Sequence, residues 1–156
     1  ALLAAILAAV AAPAQASAAG CPKLSGSFRV VPGSPGAGQI SYTLRVKNGG
    51  SVPCTVRGLP ALVLLGIRGQ DLPTHVSLSP RFTAPARPFV IRPGKTASAT
   101  ARFSPDVPGK GEGSTKGCEP IAHTARVAAG GARFVIPIKP VTRVCEHGSL
   151  VFTPYR

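Results

Sequence analysis

The chain has 156 residues, of which 18 are Lys or Arg and five are Asp or Glu, so its formal net charge is +13. Its length suits one domain. The 18 Gly and 17 Pro residues separate apolar runs and therefore predict many turns. A basic composition raises the question of nucleic acid, but the chain lacks an aromatic-and-basic ribonucleoprotein motif and a zinc finger, so we predict no nucleic-acid partner.

Residues 1–19 carry no charge and are typical of the end of a secretion signal. The apolar run from Ala1 to Val10 precedes a small-residue stretch, residues 14–19, that offers A-x-A cleavage sites. The run is too short and alanine-rich for a stable membrane span, which needs about 20 strongly apolar residues. A basic n-region and an initiator Met are absent. We therefore predict a secreted protein with a cleaved signal peptide at residues 1–19 whose start is truncated.

The four cysteines predict two disulfides, because cysteines outside the cytoplasm are usually oxidised in pairs. Four cysteines allow three pairings. We favour Cys21–Cys54 and Cys118–Cys145, since sequential pairing ties each terminal strand to a nearby element. The segment before Cys21 superficially resembles a lipobox, which would make Cys21 a lipid anchor. Ala18 stands where Leu is usual, and acylation would leave an odd number of cysteines, so ordinary signal cleavage is the favoured interpretation.

Strand patterns dominate the remaining chain, and no segment has a convincing 3.6-residue period. Residues 40–47 alternate apolar and polar side chains, which is typical of a strand with one buried face. Asn48-Gly49-Gly50 then supplies a tight turn. Further strands are expected at residues 52–56, 61–65, 89–91, 97–103, 122–127, 132–136 and 150–152.

Two segments are predicted to be irregular. Four prolines interrupt residues 73–88, which favours a connection without regular sheet. Residues 105–117 are rich in Gly, Lys and Glu and are expected to form a surface loop.

This pattern of short strands and Gly/Pro turns predicts an all-β fold. We expect residues 20–156 to form a single domain, an immunoglobulin-like and mostly antiparallel β-sandwich of about seven to nine strands, stapled by the disulfides. The core is expected to contain Ile40, Tyr42, Leu44, Val46, Leu62, Leu64, Phe103, Phe134 and Phe152.

A set of ordered motifs resembles a known family. The motifs are Cys21 closely followed by Leu24, an alternating strand ending in Asn48, residues 54–60 (CTVRGLP), residues 92–97 (RPGKTA), and the pair Cys118 and Cys145. They resemble the domain of unknown function 4232, found in secreted and lipid-anchored proteins of high-GC Gram-positive bacteria. The resemblance covers Cys21 to about Phe152. It implies an extracytoplasmic β-sandwich without an established activity, so no catalytic residue is transferred.

The sequence contains parts of several catalytic and metal-binding motifs, but none of these motifs is complete. Cys145-Glu146-His147 offers candidate metal ligands, but the cysteines lack C-x-x-C spacing and the next histidine, His123, is distant. Asp71 and His75 could serve a hydrolase, but the G-x-S-x-G nucleophile elbow is missing. Residues 111–117 mimic a phosphate loop without the flanking strand and helix. We therefore predict no catalytic residue, no metal site and no cofactor.

The function predicted from these observations is a non-catalytic binding or interaction module of the cell envelope or extracellular space. Its dispersed basic residues favour anionic cell-envelope polymers as partners. Another extracellular protein is the other partner expected. The alternative function is an extracellular hydrolase whose site no motif identifies. The sequence leaves the ligand and the oligomeric state open.

Overall fold

The computed structural model describes residues 20–113 and 117–156, and the predicted signal peptide at residues 1–19 lies outside this part of the chain. The described residues form ten strands and one four-residue helical turn. In chain order these are β1 (Leu24–Val30), β2 (Ile40–Asn48), β3 (Cys54–Val56), β4 (Ala61–Leu65), β5 (His75–Leu78), β6 (Phe89–Ile91), β7 (Thr96–Phe103), β8 (Ala122–Ala129), β9 (Ala132–Thr142), α1 (Cys145–Gly148) and β10 (Ser149–Phe152).

The predicted all-β class is confirmed, but the strand count exceeds the expected seven to nine. Eight strands join in the order β4-β8-β9-β1-β2-β7-β10-β5, while β3 and β6 pair separately. Most pairs are antiparallel, whereas β1 with β9 and β5 with β10 are parallel. The protein is therefore built mainly on one large, nearly barrel-like sheet. Within the described ranges, no helix is long and apolar enough to cross a membrane.

The prediction that residues 73–88 lack regular structure was wrong for His75–Leu78. This segment is β5, which pairs in parallel with β10 from Ser149–His75 to Phe152–Leu78. The prolines that suggested irregularity lie outside the strand, where they remove no ladder hydrogen bond. The sequence pattern missed β5 because its partner is 74 residues away, as the Ser149–His75 register shows.

The core is built by the inward faces of β2 and β7. Tyr42, Leu44 and Val46 are fully buried, as the alternation on β2 predicted. Their register partners on β7 are Ala101, Ala99 and Ala97, respectively. Large side chains on one strand thus lie beside small ones on the next, which lets the neighbouring aromatic rings pack between them. Phe103, Phe152, Leu62 and Leu64 are also buried.

Two predicted core residues are only partly buried. Ile40 is the first residue of β2 and lies at the margin of the core. Phe134 lies near the start of β9 and packs against the core from its edge. Alternation gives the face of a side chain but does not show how close that residue lies to the end of the sheet.

Asn48 is a buried polar residue that closes the β2 end of the core. It is 2% exposed, and its amide nitrogen donates to the carbonyl oxygens of Val52 (2.8 Å) and Ile91 (2.9 Å). Its side-chain oxygen accepts from the backbone N–H of Gly50 at 2.9 Å. The Asn-Gly-Gly turn predicted from the sequence therefore also connects β2 to β6 through this side chain.

Candidate functional site

The four cysteines form two disulfides, Cys21–Cys54 and Cys118–Cys145, which is the sequential pairing. The Cα atoms are 5.6 Å and 5.3 Å apart, within the usual range for disulfides. Two disulfides are typical of an extracytoplasmic environment. Because its sulfur is bonded to Cys54, Cys21 has no thiol available for the lipid attachment considered above.

The CTVRGLP segment, residues 54–60, has a structural role in the described protein. A Cβ atom on Gly58 would lie 2.1 Å from the carbonyl oxygen of Arg87, so only glycine allows this approach of the two backbones. The Gly58 carbonyl accepts from the backbone N–H of Tyr155 at 2.8 Å. The segment thus connects the Cys54 disulfide to the C-terminal residues, and Gly58 of the motif is required for close backbone packing.

Acidic and basic residues are segregated in the fold. All five acidic residues lie outside the strands: Asp71, Asp106, Glu112, Glu119 and Glu146. Basic residues, in contrast, occupy the outward positions of several strands. One such surface is the outer face, which we define as the outward side chains of β1, β2 and β7.

The outer face is a grid of four rows set by the strand register. Row 1 contains Arg102 and Ser41; row 2 contains Thr100, Thr43 and Arg29; row 3 contains Ser98, Arg45 and Ser27; row 4 contains Thr96, Lys47 and Ser25. All eleven side chains are exposed or half-buried, and they alternate with the core residues of the same strands. Each row has one cation, and every other residue in the grid carries a hydroxyl group.

Two depressions lie on this face. The first has a volume of about 420 Å³ and is lined by Ser25, Gly26, Ser27, Arg45, Lys47, Thr96 and Ser98. The second is a groove of about 730 Å³ at the row 1 end, where Arg81 and Phe82 join residues of β2, β7 and β10. All residues that line the two depressions are neutral or basic. The outer face therefore carries positive charge and has no carboxylate in the lining of either depression.

A second cluster of polar groups lies beside the Cys118–Cys145 disulfide. The Glu112 side chain is 2% exposed, and its carboxylate accepts backbone hydrogen bonds from Gly109 (2.5 Å), Glu146 (2.9 Å) and His147 (2.5 Å). Glu146 and His147 have φ values of 56° and 57°, and this left-handed turn points both N–H groups at the carboxylate. His147 Nδ1 lies 3.8 Å from an oxygen of Glu112 and 3.8 Å from an oxygen of Glu119.

The pKa values of the two carboxyl groups of this cluster are shifted in opposite directions. Burial alone would raise the pKa of Glu112, but the three backbone hydrogen bonds, together with a side-chain hydrogen bond with Glu119, outweigh it and lower the pKa to about 2. Burial raises the pKa of Glu119, and its hydrogen bond and charge repulsion with Glu112 raise it further. Glu112 is thus the anionic partner, and Glu119 is the group that takes up a proton first.

The same groups form the candidate cation sites among the described residues. The ligand atoms of Glu112, Glu119 and His147 lie within 4.8 Å of one another, as do those of Glu112, Cys118 and Cys145. The second set is excluded because its sulfurs form a disulfide and cannot act as thiolate ligands. In the first set, backbone N–H groups already satisfy the Glu112 carboxylate. The cluster therefore acts as a clasp that holds residues 109–112 against α1.

Other candidate residues from the sequence lie apart from this cluster. Both carboxylate oxygens of Asp71 accept from Arg126 at 2.8 Å, in an exposed ion pair. His75 is exposed on β5, and His123 is half-buried on β8. His147 was named as a candidate ligand, but its contacts with Glu112 and Glu119 were missed. The predicted Cys118–Cys145 bond is the signal that could have suggested them, because it places the neighbours of both cysteines side by side.

A family model described as a domain of unknown function (DUF4232) matches residues 21–156, which include both disulfides, the outer face and the Glu112 clasp. No curated protein matches the chain.

Proposed function

The chain belongs to the DUF4232 family, and from this premise we propose that it is a secreted, non-catalytic module that binds anionic polymers of the cell envelope through its outer face. The observation that carries this proposal is the grid of four rows, each with one cation among hydroxyl groups, on strands that contain no carboxylate in their described residues. The register thus brings four basic residues that are dispersed in the sequence onto one face, across three neighbouring strands.

The spacing of the rows makes their charges act together. Successive outward residues on a strand are about 7 Å apart, since each residue rises about 3.4 Å. Arg45 and Lys47 lie on one strand, so their separation is shorter than the Debye length of about 8 Å at physiological ionic strength, and Arg29 on the neighbouring strand lies about 8 Å from Arg45. Arg102 is two strands from Arg29 and therefore lies about 12 Å from it. The potentials of Arg29, Arg45 and Lys47 in rows 2 to 4 therefore reinforce one another, and Arg102 extends the positive surface to row 1.

A non-catalytic role is supported by the state of the acidic groups. Hydrolysis by carboxyl groups needs a pair that can reach a substrate bond and exchange protons with it. The Glu112 side chain is 2% exposed, and its carboxylate accepts hydrogen bonds from three backbone N–H groups. Asp71 is held by Arg126. These carboxylates stabilise loops, so the proposal assigns them no chemistry on a substrate.

We further propose that the large sheet folds over itself as an immunoglobulin-like sandwich. β9 pairs with β8 over most of its length but with β1 at only two positions, so the sheet can bend between β9 and β1. At Gly26 of β1, an added Cβ would lie 3.3 Å from Phe134 and 3.4 Å from Ile136 of β9. Phe134 and Ile136 thus fill the space beside Gly26, where β1 has no side chain.

Binding to two polyanions tests the proposed function. We expect the disulfide-bonded protein to bind polygalacturonate and poly(glycerol phosphate) at low salt, with affinity that falls as salt rises. The variant R45S/K47S, which removes two cations from the outer face, should bind more weakly. The matched control R68S/R133S removes two exposed cations elsewhere and should bind like the wild type. Equal losses in both variants would assign binding to net charge alone, and no binding at low salt would refute the proposal.

A further inference from the structure

We propose, building on the function above, that the preferred ligand of the outer face is a linear polymer of polyol units joined by phosphodiesters, with one phosphate for each row. The proposal depends on the spacing of the cations along the strands, which the register sets. A general preference for negative charge does not depend on this spacing.

The rows and the polymer have similar repeat lengths because each repeat contains the same number of backbone bonds. Two residues of an extended strand comprise about six backbone bonds and span about 7 Å. A phosphodiester unit built on a three-carbon polyol also has about six backbone bonds, so its extended length is similar by the same bond geometry. A chain laid over β2, the middle strand, therefore presents one phosphate to each of the four rows, with Arg45 and Lys47 below it and Arg29 and Arg102 one strand, about 5 Å, to either side.

Each row supplies the groups that a phosphate and a polyol require. The cation pairs with the phosphate charge, and the Ser and Thr hydroxyls donate to its remaining oxygens or bond to the polyol. Two further cations extend the central rows at their margins. Lys139 of β9 is the register partner of Arg29 in row 2, and the Arg156 backbone exchanges two hydrogen bonds with Ser98 in row 3.

Single-stranded nucleic acid shares the six-bond phosphodiester repeat, but the composition of the rows argues against it. Proteins that bind single strands stack the bases on aromatic side chains. The eleven grid residues are all Ser, Thr, Arg or Lys. The exposed aromatic nearest to them in the grooves described above is Phe82, which lines only the row 1 end. A polymer without bases is therefore the better match.

Moving one cation without changing the net charge tests the spacing. In K47S/S25K the cation stays in row 4, because Ser25 is the register partner of Lys47. In K47S/T43K the cation moves to row 2 and row 4 is left without one. Because all the altered side chains are exposed or half-buried, both variants should keep the wild-type melting temperature. If T43K perturbs the fold, K47S/T100K places the same charge in row 2 on β7.

The measurement is the dissociation constant for poly(glycerol phosphate) over a range of salt concentrations. We expect K47S/S25K to bind within about twofold of the wild type and K47S/T43K to bind about fivefold more weakly, as the loss of one cation contact implies. In a plot of the logarithm of the dissociation constant against the logarithm of the salt concentration, the slope for K47S/T43K should be smaller by about 0.7, which corresponds to one lost phosphate contact. K47S/S25K should keep the wild-type slope.

Three outcomes would overturn the proposal. If the two variants bind alike, the row spacing is irrelevant, although polyanion binding itself stands. If the wild type binds polygalacturonate as tightly as poly(glycerol phosphate), the phosphodiester assignment is wrong while the proposed function remains. If an oligothymidylate with the same number of phosphates binds more tightly than poly(glycerol phosphate), the ligand is a nucleic acid and the polyol assignment is wrong.

Discussion

Replacing Asn48 with Ala should destabilise the fold more than its small change in volume suggests. The substitution removes three hydrogen bonds, to Val52, Ile91 and Gly50. Val52 is 59% exposed and Gly50 is half-buried, so water can replace the side chain at these two positions. Ile91 is 1% exposed, and its carbonyl oxygen loses a partner that water cannot easily replace.

The magnitude follows from this difference in exposure. An unsatisfied buried carbonyl costs about 1–3 kcal/mol, and each bond that water replaces costs about 0.5 kcal/mol. We therefore expect Asn48→Ala to lower the free energy of unfolding by about 2–4 kcal/mol. Asn48→Asp should cost at least as much near neutral pH, because a carboxylate cannot donate to the carbonyls of Val52 and Ile91.

Equilibrium unfolding in urea, with both disulfides intact, measures this loss. Thr43→Ala is the control, because Thr43 is a half-buried residue on the outer side of the same strand and should change stability by less than about 0.5 kcal/mol. A loss below about 0.5 kcal/mol for Asn48→Ala would mean that the Ile91 carbonyl finds another partner. The account of Asn48 as the connection between β2 and β6 would then be wrong.

Three further predictions concern the core, a disulfide and the acidic clasp. Leu44→Ala should cost about 2–5 kcal/mol in urea unfolding, because Leu44 is fully buried; a cost below about 0.5 kcal/mol would place it at the surface. Replacing Cys21 and Cys54 with Ser should cost about 3–4 kcal/mol in calorimetry, because this bond closes a loop of 33 residues; an unchanged melting temperature would refute it. The pKa of Glu112 is about 2 in the folded protein against 4.5 unperturbed, so the stabilisation that its carboxylate contributes is full above pH 4.5 and is lost as pH falls towards 2. In Glu112→Gln the melting temperature should therefore fall less between pH 5 and pH 3 than in the wild type. The same fall in both proteins would contradict the assignment.

Much of the fold could be predicted from local patterns. Strict alternation in β2 and β7 identified their buried faces, since the period of two is a property of each strand alone. β5 was missed because its parallel pairing with β10 depends on residues far away in the chain. The partial burial of Ile40 depends on where the sheet ends, which alternation does not record.

The candidate site was less predictable than the fold. The outer face needs the register of three strands, and a shift of one residue in β1 would turn Arg29 inward and remove it from row 2. The sequence showed that basic residues were dispersed but not that Arg45 and Lys47 would join Arg29 and Arg102 on one surface. The Glu112 contact with His147 spans 35 residues and depends on the Cys118–Cys145 bond, so local patterns could not show it.

The segregation of charge also gives the molecule an electrical polarity along its strands. β7 begins beside Lys95 and ends close to Asp106, about 25 Å away over eight residues. Glu112 and Glu119 lie in the same connection between β7 and β8 as Asp106. Glu146 lies in α1, and its backbone N–H donates to Glu112. Arg102, Lys110 and Arg143 at the Asp106 end offset these carboxylates, whereas no acidic side chain of the described residues lies beside Lys95, so a polyanion of the kind proposed above would attract the Lys95 end more strongly. Encounters would then begin in one orientation, and the rate of productive collisions would depend on this dipole as well as on the contacts made afterwards.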